Sequence, residues 1–332
     1  MQAAVYHGPR DIRVEDIPTP GIAEHEVLVR VHACGICGSD LHMYRLGMFE
    51  ALGRPVAHGR VMGHELSGEV VAVGARVNEF RLGDRLTGVG LGGFAEYVAV
   101  PINERGPYLL PDNVSFDEGA TLEPLATSLH GVGLANPQSG ETVVVLGAGI
   151  IGLGCLQAIK ATVACRVIVV DASARRLELA QHFGADATVN LTETDPLEAV
   201  IALTGGEQAI ERFGVRGGQA DVVMDCAGAQ RSPNQGLYML KPAGGRLVFV
   251  ALFEQQPDLD FNQVVRKHVT LHGSWTWTKE DYNRAIELVA SGKIDRKPLV
   301  SHTYPLSAAP EAFATQAQPT ASVKVLLKPV HD

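Results

Sequence analysis

ETVVVLGAGIIGLGCLQAIKA, residues 141–161, reads as an apolar strand, a glycine-rich turn and the start of a helix. Inside it, Gly147-Ala148-Gly149-Ile150-Ile151-Gly152 fits G-x-G-x-x-G. Alone the pattern is weak; a strand before it and a helix after it give it a mechanism. Gly147 permits the tight turn, Gly149 lets the backbone approach a pyrophosphate, and Gly152 lets the helix pack close to the strand. With Ile150 and Ile151 opening the helix, a phosphate meets free N–H groups and the positive end of the helix dipole. The next strand, RVIVV (166–170), ends in Asp171, 24 residues after Gly147. A carboxylate there accepts both ribose hydroxyls of NAD and repels the additional phosphate of NADP. Arg175 and Arg176 lie close by, where arginines can serve a 2′-phosphate, but with Asp171 present NAD is the expected cofactor.

Outward from this turn the alternation continues. CRVIVVDASARRLELAQHFGA (165–185) repeats strand then helix, and ATVNLT, ADVVMDCAG, NQGLYMLKPAGG and RLVFVALF extend it to residue 253. Strand and helix in alternation imply βαβ units on a doubly wound parallel sheet, hence an α/β fold. The first third differs. AAVYHG, DIRVEDIP, EVLVRVHACG, GEVVAVG, DRLTGVG and FAEYVAVP are short β-branched runs broken by Gly and Pro, with few convincing helices before about residue 115. The last 60 residues are mixed, with a helix around EDYNRAIELVASGKI and a final strand, ASVKVLLKPV. This organisation predicts a β-rich domain from residues 1–124 and 273–332, interrupted by a dinucleotide-binding domain over 125–272. The polar stretch 204–220, TGGEQAIERFGVRGGQA, is longer than a βα connection needs.

Composition narrows the function. The chain has 332 residues, a length that suggests about two domains. A net charge of −9 and the lack of any Lys/Arg run disfavour nucleic acid as a partner. No signal peptide is visible at the N-terminus, and the longest apolar run is too short and too rich in glycine to span a bilayer. Five scattered cysteines, an odd number, argue against a disulfide framework and for a reducing, cytoplasmic location.

HACGICGSDLH (32–42) poses a separate question, because Cys34 and Cys37 form a C-x-x-C pair. A four-thiolate zinc site needs a second pair, which Cys155, Cys165 and Cys226 do not supply. A thioredoxin-like redox pair belongs to a different βα context. Better partners for Cys37 are His64 and Glu65 in GHELSGEV and Glu123 in TLEPLATSLHG. Thiolate, imidazole and carboxylate all bind zinc, and three protein ligands with one open position mark a catalytic site. By residue type alone each has a plainer reading, since a lone Cys is commonly a small core residue.

GICGSDLH, GHELSGEV, GDRLTG, FAEYVAVP, LEPLATSLHG and VVVLGAGIIGLG occur in the order seen in zinc-dependent medium-chain dehydrogenases, and the chain resembles that family over its whole length. The Glu-Pro form of the LEPLATSLHG motif resembles the polyol branch, which includes sorbitol and threonine dehydrogenases. The resemblance implies a GroES-like catalytic domain joined to a Rossmann cofactor domain. It implies that Cys37, His64 and one or both of Glu65 and Glu123 hold a catalytic zinc, with Cys34 a core residue. Ser39 and His42 match proton-relay positions, Asp40 an acid behind the ligands, and Arg176 a ribose contact. Cys226, Ala227 and Val250 are further candidate cofactor contacts. The implied reaction is reversible oxidation of a secondary alcohol, a polyol, sugar or amino alcohol, to a ketone. In it the metal acidifies the hydroxyl, Ser39 accepts its proton, His42 passes it on, and hydride goes to nicotinamide. Glu65 and Glu123 are expected to exchange places at the metal during turnover.

One departure stands out. Family members with a structural zinc carry four closely spaced cysteines between GDRLTG and FAEYVAV, where this chain has only VGLGG. One zinc per subunit is therefore expected, in a homodimer or homotetramer. Tyr44, Phe49, Trp275 and Trp277 are candidate walls for a substrate near the metal. The competing readings are a zinc-free NADPH quinone or enone reductase of the same superfamily and a non-enzymatic module. The complete ligand set opposes both, and Asp171 opposes the reductase.

Overall fold

The computed structural model describes residues 1–49, 53–88, 90–206, 217–318, 320 and 322–330. Residues 207–216 of the long polar stretch lie outside the described residues. The chain divides into two compact units, one formed by Met1–Glu123 with Thr278–Asp332, the other by Pro124–Trp277.

The first unit begins with strands β1 (Gln2–Gly8), β2 (Asp11–Asp16) and β3 (Glu26–Gly35), then helix α1 (Gly38–Leu46). Strands β4 (Arg54–Val56), β5 (Gly59–Val61), β6 (Glu65–Val73), β7 (Arg85–Gly88), β8 (Tyr97–Pro101) and β9 (Tyr108–Leu109) follow, then helix α2 (Phe116–Gly119) and the start of α3 (Leu122–Ala135). In β3, Val27, Val29, Val31 and Ala33 are buried while the residues between them are not, the period-2 pattern of a strand with one face on a core. Both β6 and β8 pair with β3 in antiparallel fashion.

Helix α1 begins inside HACGICGSDLH and runs past it to Leu46, in the first third of the chain where the sequence shows few convincing helices. It is only nine residues long and has little amphipathic signal, but its ends are marked. The Asp40 carboxylate accepts from the Cys37 N–H at 2.9 Å, and Gly47 closes the helix in the left-handed conformation at φ 68°.

The second unit carries β10 (Thr142–Leu146), α4 (Ile150–Thr162), β11 (Arg166–Asp171), α5 (Ala174–His182), β12 (Ala187–Asn190) and α6 (Pro196–Thr204). It continues with β13 (Val222–Asp225), α7 (Ser232–Met239), β14 (Arg246–Phe249), α8 (Phe261–Lys267) and β15 (Thr270–Gly273). The strands form one parallel sheet in the order β12-β11-β10-β13-β14-β15. Val143, Val144 and Val145 of β10 are all buried, because helices cover both faces of such a sheet. The strand order reverses between β10 and β13, and ligands of doubly wound sheets bind at the carboxyl ends of the strands at such a point.

The chain returns to the first unit after Trp277, where the sequence places the crossing at residue 273. There α9 (Lys279–Ala290), β16 (Val300–Pro305), α10 (Ala309–Gln316) and β17 (Lys324–Lys328) complete it, with β17 antiparallel to β3. Among the described residues no helix is long and apolar enough to cross a membrane.

Candidate metal centre and dinucleotide turn

The register between β3 and β6 assembles the candidate metal ligands. Cys34 lies opposite Leu66 and Gly35 opposite Glu65, which brings the start of β6 beside the turn that carries Cys37. Donor atoms of Cys37, His64 and Glu65 all lie within 4.8 Å of one another. Gly35 makes room for this: a Cβ there would sit 2.2 Å from Glu65 Oε2. Cys34 belongs to the core, 0% exposed, with Sγ packed so closely against Gly63 and Gly93 that a Cβ on either would stand 2.8–2.9 Å away. Burial pushes its thiol well above the ordinary range.

Two buried groups support the cluster from behind. Glu65 is 1% exposed, and so is Lys324 at the start of β17. Lys324 Nζ donates to Glu65 Oε2 at 2.5 Å and to the Ile36 carbonyl at 2.9 Å. Asp40 Oδ1 lies 3.8 Å from His64 Nδ1. Burial disfavours a charged imidazole at His64, but the negative groups of Cys37, Asp40 and Glu123 outweigh it and hold the ring well above its usual pKa. Burial and the Glu65 carboxylate raise the Cys37 thiol, with His64 pulling the other way.

Glu65 Oε1 is buried and has no hydrogen-bond partner among the described residues. An orphaned carboxylate oxygen is costly unless something satisfies it. Sulfur, imidazole nitrogen and carboxylate oxygen around one point form the donor set of a catalytic zinc site, so these residues fit that ion.

Glu123, in the first turn of α3, is half-buried and is not one of the three clustered donors. Its charge nonetheless acts on Cys37, His64 and Lys324. Ser39 and His42, both half-buried, sit three residues apart on α1, hence on one helix face. Among the candidate walls, Trp277 is buried and Trp275 is 65% exposed. Tyr44 packs on Phe313 with ring centroids 5.3 Å apart, beside the core of its unit. Phe49 is half-buried with a left-handed φ of 62°.

Lys324 escapes a motif search, yet a lysine inside the apolar run SVKVLL is itself a sign of a buried partner.

In the second unit the glycine turn has the geometry its pattern requires. Gly147 has φ +89°, and a Cβ there would meet Ala227 Cα at 2.9 Å. Gly152 packs so tightly that a Cβ would lie 1.8 Å from the Gly147 carbonyl oxygen. Gly149, the N-cap of α4, faces open space instead, with nothing within 4 Å of a Cβ. That room beside a helix N-terminus fits a pyrophosphate. Ile150 and Ile151 open α4, and the Ile151 carbonyl accepts from Ser128 Oγ at 3.0 Å.

Asp171 is buried at the end of β11. Its Oδ2 accepts from the Ala148 N–H at 2.6 Å and its Oδ1 from the Ser173 N–H at 2.7 Å. Arg176 Nη1 approaches Oδ2 at 4.0 Å, while Arg175 is exposed. Past β13, the Cys226 N–H donates to the Leu146 carbonyl at 2.9 Å, and past β14 the Val250 N–H donates to the Asp225 carbonyl at 2.9 Å. Buried Asp225, which no motif singles out, ties this corner together. Its Oδ1 accepts from the Ala227 and Gly228 N–H groups and its Oδ2 from Ser232 Oγ.

Comparison with known proteins agrees with this geometry. The alcohol dehydrogenase GroES-like domain matches residues 23–112, and the zinc-binding dehydrogenase domain matches residues 151–291. Sorbitol dehydrogenase of Bos taurus is 34% identical over 354 residues, covering 98% of this chain and 95% of that protein. The crystal structure of 2R,3R-butanediol dehydrogenase from Bacillus subtilis superposes with TM-score 0.85 at 29% identity, over 99% of each chain. A structure from Sinorhizobium meliloti 1021, a candidate zinc-binding dehydrogenase bound to NADP, superposes with TM-score 0.83 at 30% identity, over 99% of each chain. The chain belongs to the zinc-dependent medium-chain dehydrogenases, on the branch that contains the sorbitol dehydrogenases.

Proposed function

We propose that this chain oxidises a secondary alcohol of polyol or sugar-like type to a ketone, reversibly, using one zinc ion and NAD. The observation that carries the reading is the buried Cys37–His64–Glu65 donor set with its unpartnered Glu65 Oε1. When bound, zinc supplies Lewis acidity that lowers the pKa of a coordinated hydroxyl, and the dinucleotide supplies the hydride acceptor.

The protein's own residues hold, orient and move the proton. Cys37, His64 and Glu65 are the ligands in this reading. Lys324 fixes the second Glu65 oxygen, which favours Glu65 as a steady ligand over exchange with Glu123. Glu123 is then left to hydrogen-bond a polar atom of the substrate. Asp40 orients the His64 ring. Ser39 accepts the substrate proton, and His42, on the same face of α1, passes it outward. The glycine turn receives the pyrophosphate, and Asp171 takes the adenosine ribose with Arg176 beside it. The five cysteines are free, in keeping with a reducing cytoplasmic compartment. The edge position of β15 and the exposed Trp275 after it suit a homodimer or homotetramer.

The deciding experiment is metal analysis of protein purified in zinc-replete medium, followed by a panel of polyols and other alcohols with each dinucleotide. One zinc per chain and turnover of vicinal secondary alcohols with NAD are expected; two zinc ions per chain, or none, would contradict the reading. Cys34→Ser should retain the metal and nearly all of the activity, because its sulfur packs against glycines of the core.

Cofactor choice is tested at Asp171. Asp171→Ser should raise the NADP-to-NAD ratio of kcat/KM by roughly 10- to 100-fold, or about 1.4–2.8 kcal/mol. NAD itself should also bind less well, since the Ala148 and Ser173 N–H groups lose their acceptor. A wild-type enzyme with the higher kcat/KM for NADP would overturn the assignment.

A further inference from the structure

Two cysteines whose thiols take no part in the metal site or the proton path lie together in the dinucleotide-binding unit. Cys155 is on α4, the helix that opens at the glycine turn, and is fully buried. Cys226 follows β13, the strand paired with β10, and is half-buried. Their sulfurs are 3.9 Å apart. The surroundings are tight on both sides. Cys155 Sγ lies 3.8 Å from the Ser128 carbonyl oxygen. The Cys226 N–H is bonded to the Leu146 carbonyl, and the neighbouring Ala227 rests against Gly147.

We propose that Cys155 and Cys226 form a reversible disulfide under hydroperoxide stress, and that closing it weakens dinucleotide binding. The thiolate of Cys226, the less buried of the two, attacks one peroxide oxygen. The O–O bond breaks, hydroxide leaves and is protonated to water, and Cys226 becomes a sulfenic acid. The Cys155 sulfur then attacks the sulfenic sulfur. The S–O bond breaks, and its hydroxyl departs as a second water with the Cys155 proton. The two sulfurs together lose two electrons, and the peroxide gains two.

The bond requires the sulfurs to close from 3.9 Å to about 2.05 Å. That movement draws the end of β13 and the first turns of α4 toward each other. Both flank the glycine turn, where Gly147 has no spare room against Ala227. The shared S–H···S contact and burial hold Cys226 as a thiol, so the site reacts slowly and responds to sustained oxidant. The disulfide follows from the sulfur geometry alone; its effect on the cofactor rests on the dinucleotide reading above.

The test treats zinc-loaded full-length protein with hydrogen peroxide, maps its cysteines by mass spectrometry, and titrates NADH by fluorescence. Binding is read rather than turnover, because oxidation of Cys37 also stops turnover. The expected result is a peptide pair linked through Cys155 and Cys226. The NADH Kd should rise at least tenfold and recover with dithiothreitol. Cys155→Ser and Cys226→Ser proteins, each compared with itself before treatment, should show no tenfold change. If both thiols stay alkylatable after peroxide, or Cys226 oxidises equally far without linkage to Cys155, the disulfide is refuted. A linked pair with unchanged NADH affinity refutes its action on the cofactor. Failure of the reduced protein to bind NADH at all refutes instead the dinucleotide reading, and leaves the linkage result standing.

Discussion

Cys37→Ser protein will fold, lose its metal and lose turnover by about 10³- to 10⁴-fold. The serine hydroxyl is a poor replacement for a thiolate, and two remaining protein ligands are too few for a catalytic zinc site. Lewis-acid stabilisation of developing oxygen charge is worth several kcal/mol, and each 1.36 kcal/mol is tenfold in rate. The fold should survive because Cys37 sits at the N-cap of α1, where a serine side chain is at least as good a cap. The measurement is zinc per chain, kcat with the best polyol found, and far-ultraviolet circular dichroism on one preparation. A folded Cys37→Ser protein that keeps stoichiometric zinc would remove Cys37 from the site. Set against the near-neutral Cys34→Ser, the pair of variants tells the two cysteines of C-x-x-C apart.

What the sequence discloses about this site depends on how local the determinant is. Gly147, Gly149 and Gly152 are legible because a tight turn and a close helix approach are fixed by a few consecutive residues. Asp171 is legible because the next strand of a βαβ unit begins at a predictable distance. The metal ligands are different. Nothing local to Cys37 selects His64 and Glu65; the antiparallel register of β3 and β6 does. Resemblance to a family supplied that pairing, where spacing could not. Helix α1 is obscured for a related reason, since it is short and its caps mark it better than its apolar residues do. Tyr44 shows the limit of composition: an aromatic near the metal motif in sequence packs against Phe313, far along the chain, at the core of its own unit. Lys324 is the extreme case, meeting Glu65 across 259 residues of sequence.

That lysine carries the second large effect. Lys324→Met, prepared without metal, should be destabilised by about 3–5 kcal/mol, the usual cost of stripping one partner from a buried ion pair. For a unit of this size the loss corresponds to a fall in Tm of roughly 10 °C. Three observations set the magnitude. Both side chains are 1% exposed, so water cannot take over from the ammonium. The Ile36 carbonyl loses its donor at the same time. Gly35 and the packed β3–β6 register leave the Glu65 carboxylate no way out of the interior. Zinc should reverse part of the loss, because a cation at Glu65 Oε1 supplies the counter-charge that Lys324 no longer gives, and binding to the folded state alone adds stability by mass action. The double variant Lys324→Met with Glu65→Gln separates this account from simple loss of packing. With neither charge of the pair left, it should be less destabilised than the two single variants summed, by an interaction energy of about 1–3 kcal/mol in a double-mutant cycle. It should also hold zinc poorly, since the third ligand has gone. Strictly additive effects in that cycle, or a metal-free Lys324→Met protein as stable as wild type, would mean that Lys324 does not hold Glu65 in place. A steady Glu65 ligand would then lose its support, and exchange with Glu123 would become the better account of the metal site.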